Sequence, residues 1–562
     1  MIKSVNQSCA TVKPKISPNA FNKYFISSVN EIRCDIVRPE TKPGDFLKRF
    51  KLPNVIFQWE LITALDVSSI IKNFKNTKSK DFYDISNNIV KEVSECIVEP
   101  LAFCVNWCLA EGVFPEELKI AKVIPIFKKG DRNNPASYRP VSLVPVLGKV
   151  LEGLVFKQVS SHLENFGFFS NSQYGFRRGR STMDAIDALV TDILHAFEDK
   201  AFAWGTLCDL SRAFDCVDHA LLLEKLEYYG FHGGPLKFFQ SYLTNRRQLV
   251  GMGSERSTAL KLECGVPQGS ILGPLLFLIA INDLPRSISL GDAYLYADDS
   301  TFLVKGTDIA VLEVNASQVL TEATEWFSAN SFLLNTNKTQ DIIFSLRDLP
   351  NNIASSQHVK LLGVIIDRSL SWAPHVDQIC SRLSRVIFLL KRLMDCVPPD
   401  SVRSAYFAFF HSIMRYGLMF WGNCSRVIDV LILQKKAVRI LAQASFSDHC
   451  KPLFIKLKIL TVINLYIFDL LLRIKVNLGS FDQRNNIHNF STRSNEYLDI
   501  PFVRLQKTKS SHLIVGLKLF NKLPLNVRNL SFKCFKQTIY DWLNVNPFYN
   551  IDEYFSCSMD LM

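Results

Sequence analysis

Residues 294–301 read Tyr-Leu-Tyr-Ala-Asp-Asp-Ser-Thr, and they decide how the rest of the chain is placed. Asp298 and Asp299 follow a short apolar, aromatic run (Ala293 to Ala297) and precede another (Thr301 to Val304), with no lysine or arginine inside to neutralise them. This pattern predicts a β-hairpin with the acids at its tight turn. Adjacent carboxylates repel each other. A divalent cation relieves the repulsion, and hard oxygen ligands with room for substrate phosphates favour Mg²⁺. A solvated acidic turn is the plain alternative, so the decision rests on what accompanies the pair.

With 562 residues, 48% of them hydrophobic, the chain has material for several domains and a large core, which excludes a disordered protein. Its net charge of +12 fits a polyanionic partner but also suits an ordinary basic protein. The fourteen cysteines include no Cys-x-x-Cys pair, and Cys104 with Cys108 lacks a histidine at zinc-ligand distance. No N-terminal signal segment is visible, so free thiols in a reducing compartment are expected, in the cytosol or nucleus. The most apolar stretches, Leu275 to Ile281 and Leu465 to Ile474, are too short or are interrupted by Asp469 and Arg473. No membrane role is expected.

Residues 1 to about 50 are polar and dotted with proline, with one helical segment from Asn19 to Ile32. A helical pattern begins at Glu60 and ends at Gly112 and Pro115. Val123 to Phe127 is a short strand running into Lys128-Lys129-Gly130-Asp131, a cradle for phosphate oxygens or a solvated turn. After Tyr138-Arg139-Pro140 and an amphipathic helix from Lys149 to Leu163 comes Gln173-Tyr174-Gly175-Phe176-Arg177-Arg178-Gly179-Arg180. There Arg177, Arg178 and Arg180 alternate with aromatics and glycines, a composition suited to base stacking and phosphate contact.

Thr206 to Leu210 reads as a strand with Asp209 near its end, followed by Phe214 and Asp215. Asp218 caps a helix that Gly230 terminates, and a second helix begins at Pro235. Arg247 to Gly251 and Ala259 to Leu262 form a strand pair leading into Cys264-Gly265-Val266-Pro267-Gln268-Gly269-Ser270, which opens an apolar helix. Beyond the Asp298 hairpin lie a helix from Ala310 to Asn330, a strand from Asp341 to Phe344 preceded by Lys338, and Val359 to Asp367 as one further strand. In the helix that follows, Val376, Ile379, Leu383, Val386 and Leu390 share one arc, and Arg382, Arg385 and Arg392 lie opposite. One face packs and the other is free to meet phosphates. The remaining segments are helical except for the polar stretch Asn477 to Ser511.

Order and context are decisive. An Asp at a strand end, Asp209, precedes an Asp-Asp turn by about ninety residues, with a Pro-Gln-Gly loop between them. Two-metal phosphoryl transfer needs carboxylates from separate strands converging on ions about 3.5–4 Å apart.

At this point the chain resembles the reverse transcriptases of non-long-terminal-repeat (LINE-type) retrotransposons, most closely the insect jockey-like kind. The resemblance rests on Phe-Pro-x-x-Leu-Lys-x-Ala-x-Val-x-Pro-Ile-Phe-Lys-Lys-Gly-Asp from Phe114 and Ser-Tyr-Arg-Pro-Val-Ser-Leu from Ser137. It rests equally on the Gln173 motif, Asp-Leu-Ser-Arg-Ala-Phe-Asp from Asp209, Gly-Val-Pro-Gln-Gly-Ser-x-Leu-Gly-Pro from Gly265, and Tyr-Ala-Asp-Asp. It covers nearly the whole chain. It implies an α+β, right-hand polymerase: linker remnant (1–50), helical N-terminal extension (51–122), fingers and palm (123–371), thumb (372–445) and helical C-terminal region (446–562).

The same resemblance implies catalytic Asp209, Asp298, Asp299 and Lys338, with Asp209, the adjoining Leu210, Asp298 and Asp299 at two Mg²⁺ ions, Mn²⁺ being an alternative. Lys128, Lys129 and Arg139 would hold the triphosphate, Phe214 would stand beneath the sugar as a gate against ribonucleotides, and Gln268 would touch the incoming nucleotide. Arg177, Arg178, Arg180, Arg382 and Arg385 would meet nucleic acid, with Leu362 and Gly363 gripping the primer end. Asp299 is either a ligand or the acid that points away. Asp215 is expected to hydrogen-bond structurally and His219 to start a helix, while Lys338 is either the acid that protonates pyrophosphate or a loop lysine.

The expected partners are an RNA template, a DNA primer or target and deoxynucleoside triphosphates, in a ribonucleoprotein of nucleus and cytoplasm. Such elements usually carry an endonuclease upstream, and the chain is expected to begin inside the linker after it; a zinc knuckle beyond the thumb, present in some relatives, is not visible. A group II intron maturase or telomerase fits the motifs around Lys128 and Gly265 less well. From another class, a nucleic-acid-binding remnant that no longer polymerises is the second reading, and the intact acids, Phe214 and Gln268 favour the polymerase.

Overall fold

The computed structural model describes residues 16–37, 39–49, 55–350, 355–484 and 496–557. Contacts concentrate in two units, Met1–Ala185 with Thr206–Val304 and Glu313–Gln340, and Ile186–Gly205 with Lys305–Leu312 and Asp341–Met562. The strands, in chain order, are β1 (Ile120–Phe127), β2 (Tyr138–Leu143), β3 (Phe202–Cys208), β4 (Arg247–Met252), β5 (Glu255–Arg256) and β6 (Leu260–Lys261). They are followed by β7 (Asp292–Tyr296), β8 (Asp299–Gly306), β9 (Gln340–Phe344), β10 (His358–Leu361) and β11 (Val364–Asp367).

In the first unit, β1 and β2 pair antiparallel with Phe127 opposite Tyr138 and Ile126 opposite Arg139, so Lys128 and Arg139 issue from the same end of one ribbon. β4 runs parallel to β1 and antiparallel to β5 and β6, giving a sheet of order β2-β1-β4-β5 with β6 also on β4. β7 and β8 pair antiparallel as a hairpin, with Tyr296 opposite Asp299. The helix Leu272–Ile281 is apolar all round and accordingly buried on every side. Lys225 is buried beside it, its Nζ 2.6 Å from both Asp283 Oδ1 and the Ala280 carbonyl. The Trp326 indole donates to the other oxygen of Asp283 at 2.9 Å, so this buried charge pair is fully partnered.

The N-terminal helix, Pro18–Cys34, opens on a Ser17 cap and spans the helical segment expected from Asn19 to Ile32. Its Phe21 and Phe25 are buried against Val123, Tyr138 and Val250, on the strands β1, β2 and β4. The Phe21 and Tyr138 rings meet edge to face at 4.9 Å. Asn22 donates to the Thr258 carbonyl at 2.8 Å and accepts from Gln248 at 3.0 Å. Phenylalanines four residues apart fall on one helical face, and the sheet buries that face.

In the second unit, Val359 to Asp367 is two strands, not the one expected. β10 and β11 pair antiparallel with Leu361 opposite Val364, and the turn is Leu362-Gly363 with φ of 46° and 89°. Both turn residues in the left-handed region define the mirror-image turn that joins tight hairpins. The helix Ala373–Met394 packs against Val427–Ala442, and Val462–Val476 packs against His512–Lys522 and Phe532–Val545. Asp187 accepts from both Arg473 and His512 in this unit.

Candidate active site

Asp209 stands one residue beyond β3. Its backbone carbonyl accepts from Asn335 at 2.9 Å, and Leu210 bridges Leu334, which fixes where the strand ends. Tyr296 lies opposite Asp299 in the β7–β8 hairpin, so the two turn residues are Ala297 and Asp298, and Asp299 is the first residue of β8. Ala297 has φ 56°, in the left-handed region where an alanine is strained.

The three carboxylates lie within electrostatic reach of one another. Burial pushes Asp298 above the usual carboxylate range, Asp209 adds to this, and the Arg139 guanidinium opposes it. Burial, then the charges of Asp298 and Asp209, push Asp299 up to about 6. Asp209 is turned toward Lys338, whose Nζ lies 2.7 Å from Oδ2. Burial holds the Lys128 ammonium below its ordinary value, and Arg139, Lys338 and Lys129 push the same way while Asp209 opposes them. Lys128, Lys129, Arg139 and Lys338 therefore form a cationic rim beside the acids.

The donor set fits a hard divalent cation. It is oxygen throughout, its charges repel one another, and at Asp209 a lysine ammonium already occupies the position of a counter-ion. Among the described residues no three His, Cys, Asp or Glu side chains stand together at metal-ligand spacing.

A second group forms around Phe214. Its ring stacks on buried Phe277 at 4.3 Å with 19° between planes, and the Phe176 ring meets it edge on at 6.2 Å. The Gln268 amide donates to Asp215 Oδ1 at 2.8 Å. Asp215, pushed up to about 6 by burial, thus has the hydrogen-bonding place expected of it. The loop is laced to this segment: Gly265 N donates to the Val217 carbonyl, Val266 N to that of Phe214, and the His219 ring meets the Gly265 carbonyl at 2.8 Å. His219 is the first residue of its helix, capped by Asp218.

The arginine-rich loop departs from expectation. Arg177 makes a two-pronged pair with Glu164 at 2.9 and 2.6 Å and donates to the Ser170 carbonyl at 2.7 Å, and its side chain is 9% exposed. Arg180 donates to the Asn171 carbonyl and lies over the Tyr174 ring. Both guanidinium groups hold the loop together, and of the three Arg178 alone is exposed while the other two are half-buried. In the second unit Leu362 and Gly363 form the hairpin turn, with the Tyr416 hydroxyl donating to the Leu362 carbonyl. Arg382 and Arg385 are exposed on the helix Ala373–Met394, which buries Val376, Ile379, Leu383 and Leu390 and half-buries Val386.

One side chain absent from the expected set stands against the acidic turn. Gln173 is buried, and its amide oxygen accepts from Gly175 N at 2.8 Å and from Ala297 N at 3.1 Å. Its signal in the sequence is its place at the head of the Gln-Tyr-Gly-Phe-Arg motif.

Residues 126–366 match the family described as reverse transcriptase (RNA-dependent DNA polymerase). The chain is 28% identical over 414 residues to the probable RNA-directed DNA polymerase from transposon BS of Drosophila melanogaster, covering 68% of this chain and 45% of that protein. It is 27% identical over 420 residues to the RNA-directed DNA polymerase from mobile element jockey of Drosophila funebris, covering 71% of this chain and 46% of that protein. The probable polymerase from transposon X-element of Drosophila melanogaster is likewise 27% identical, over 71% of this chain and 46% of that protein. The chain thus spans somewhat under half the length of these relatives. On a mixed helix-and-sheet frame with the acids on a strand end and a hairpin, residues 126–366 thus match the reverse transcriptase family model, and the chain is similar over about two thirds of its length to RNA-directed DNA polymerases of Drosophila mobile elements.

Proposed function

We propose that the chain is an RNA-directed DNA polymerase that copies a retrotransposon transcript into DNA, in target-primed reverse transcription. The carrying observation is the meeting of Asp209, Asp298 and Asp299 from two elements beside the rim of Lys128, Lys129, Arg139 and Lys338. Asp209 with Leu210, Asp298 and Asp299 would hold two Mg²⁺ ions, or Mn²⁺ in their place. Bound there, the ions would activate the primer 3′ oxygen and offset charge on the triphosphate. Lys128, Lys129 and Arg139 bind the triphosphate oxygens, and Lys338, released from Asp209, gives a proton to the departing pyrophosphate. Phe214, braced on Phe277, limits room at the sugar. Gln268, oriented by Asp215, meets the incoming nucleotide.

The sheets of residues 123–371 serve as fingers and palm. The helices of 372–445 serve as thumb, and in the chain the extension 51–122 precedes the fingers and the region 446–562 follows the thumb. Template RNA, primer or target DNA and deoxynucleotides are the partners, within a ribonucleoprotein of nucleus and cytoplasm. No helix among the described residues is long and apolar enough to cross a membrane. The test is extension of a DNA primer on an RNA template with deoxynucleotides and Mg²⁺. Product that depends on primer, RNA template, deoxynucleotides and Mg²⁺ supports the reading, whereas RNA binding without any incorporation would favour a non-polymerising remnant.

The exposed arginines of the helix Ala373–Met394 carry a prediction. Arg385→Ala is expected to weaken binding to primer–template duplexes with little regard to sequence, flattening the slope of log affinity against log salt by about one unit. An unchanged slope would place that face outside the nucleic-acid path.

Cation binding is expected to depend on pH. Asp299 titrates near 6 as part of a coupled acidic cluster, so its proton must leave before it can act as a ligand. A carboxyl raised in the folded state keeps a proton that the unfolded chain loses from about pH 4 upward, so without cation stability falls as pH rises through this window. Added Mn²⁺ offsets that loss. The rise in Tm on adding Mn²⁺ should therefore grow as pH passes through 6, and Asp299→Asn should flatten the growth. A cation effect equal at pH 5 and pH 7.5 would argue against ligation at this cluster.

A further inference from the structure

The turn that carries Asp298 is held from outside the hairpin. Ala297 adopts a left-handed φ of 56°, a conformation that persists only where its surroundings enforce it. Three contacts do so. The Gln173 amide oxygen accepts the Ala297 N–H at 3.1 Å while also accepting that of Gly175 at 2.8 Å. The backbone of 172–174 runs parallel to β7 and pairs with it, Leu295 N donating to the Ser172 carbonyl and Tyr174 N to the Leu295 carbonyl, each at 2.8 Å. Gly175 lies so close to the turn that a Cβ there would sit 2.4 Å from the Ala297 nitrogen. Behind this wall the Arg177–Glu164 pair anchors the loop to the helix Val146–Asn165.

An amide at position 173 is not explained by packing. Gln173 is 1% exposed and its Nε2 is buried without a hydrogen-bond partner. Methionine would fill the same space without leaving a donor unpaired, so the useful part of the side chain is the oxygen, and the oxygen goes to the turn.

We propose that Gln173 is a positioning residue of the polymerase site, fixing the left-handed turn and thereby the aim of Asp298. This rests on the assignment of Asp298 as a cation ligand. Residues that orient ligands typically change metal affinity or activity by roughly 10–100-fold when lost.

The test compares Gln173→Met, Ala297→Gly and the double variant, full length, in primer extension and in Mn²⁺ binding by electron paramagnetic resonance. Gln173→Met should lower kcat and weaken Mn²⁺ binding by roughly tenfold or more, with KM for nucleotide and primer–template affinity little changed. Glycine adopts the left-handed turn without strain. In the Ala297→Gly background the same substitution should therefore cost several-fold less, and a side chain that only filled space would gain no such relief. Equal losses in both backgrounds, or a fall in activity with unaltered Mn²⁺ binding, would overturn the proposal. Should Gln173→Met fail to fold, Gly175→Ala, which presses on the same nitrogen, must reproduce the Mn²⁺ defect or the proposal falls. Asp298→Asn in parallel separates the two claims: if it too extends primers and binds Mn²⁺ normally, it is the ligand assignment that has failed.

Discussion

Asp298→Asn is expected to reduce nucleotide incorporation by roughly a thousandfold or more, a loss of about 4 kcal/mol in transition-state stabilisation. Asparagine keeps the shape of the side chain and one acceptor oxygen but removes the charge, so the change isolates cation ligation from packing. The same change should leave Tm at pH 7 unchanged or slightly raised in the absence of divalent ions. Burial and the neighbouring Asp209 already disfavour the charged form of Asp298 in the folded chain. Removing that charge removes a repulsion, so stability and activity should move in opposite directions. The measurements are single-nucleotide incorporation and thermal unfolding on the same preparation. Near-normal incorporation removes the two-metal reading, and a collapse of Tm would trace the lost activity to folding.

Phe214→Val is expected to lower the selectivity for deoxy- over ribonucleotides by roughly a hundredfold, about 2.7 kcal/mol of discrimination. The ring is half-buried, stacked by one face on Phe277 and flanked by the edge of Phe176. It is therefore fixed in orientation and cannot swing aside to admit a 2′-hydroxyl. Discrimination by a fixed wall is lost when the wall is shortened, whereas deoxynucleotides, which never touched it, are little affected. Losing the stack should itself cost about 1 kcal/mol of stability. The ratio of kcat/KM values for the two nucleotides decides the matter. A ratio unmoved while both efficiencies fall together would return Phe214 to the core.

The acids were legible because their chemistry is local in sequence: two carboxylates between apolar runs need an explanation wherever they occur. The strand before Asp209, the cap at Asp218 and the apolar helix after Ser270 were legible for the same reason, since periodicity and capping act over a few residues. What escaped depended on partners far along the chain or on backbone conformation. Arg177 looked like a phosphate ligand because Glu164, thirteen residues upstream on a helix, gave no sign of facing it. Gln173 shows no role in the sequence because its partner is the backbone N–H of Ala297, 124 residues away. The Leu362-Gly363 turn was hidden because leucine is rare at positive φ, leaving an apolar run that read as one strand.

The seating of the helix Pro18–Cys34 on the first sheet bears on how this chain can be trimmed. A fragment begun at residue 51, where composition suggests a boundary, would uncover the surface of β1, β2 and β4 that Phe21 and Phe25 now shield. It would also strip Gln248 and the Thr258 carbonyl of their Asn22 partner. Such a fragment should be sticky and poorly behaved in solution while retaining every side chain assigned to chemistry, and its failure could be mistaken for an inactive element. A shorter polymerase of this kind must start ahead of Ser17, or bring a substitute for that helix.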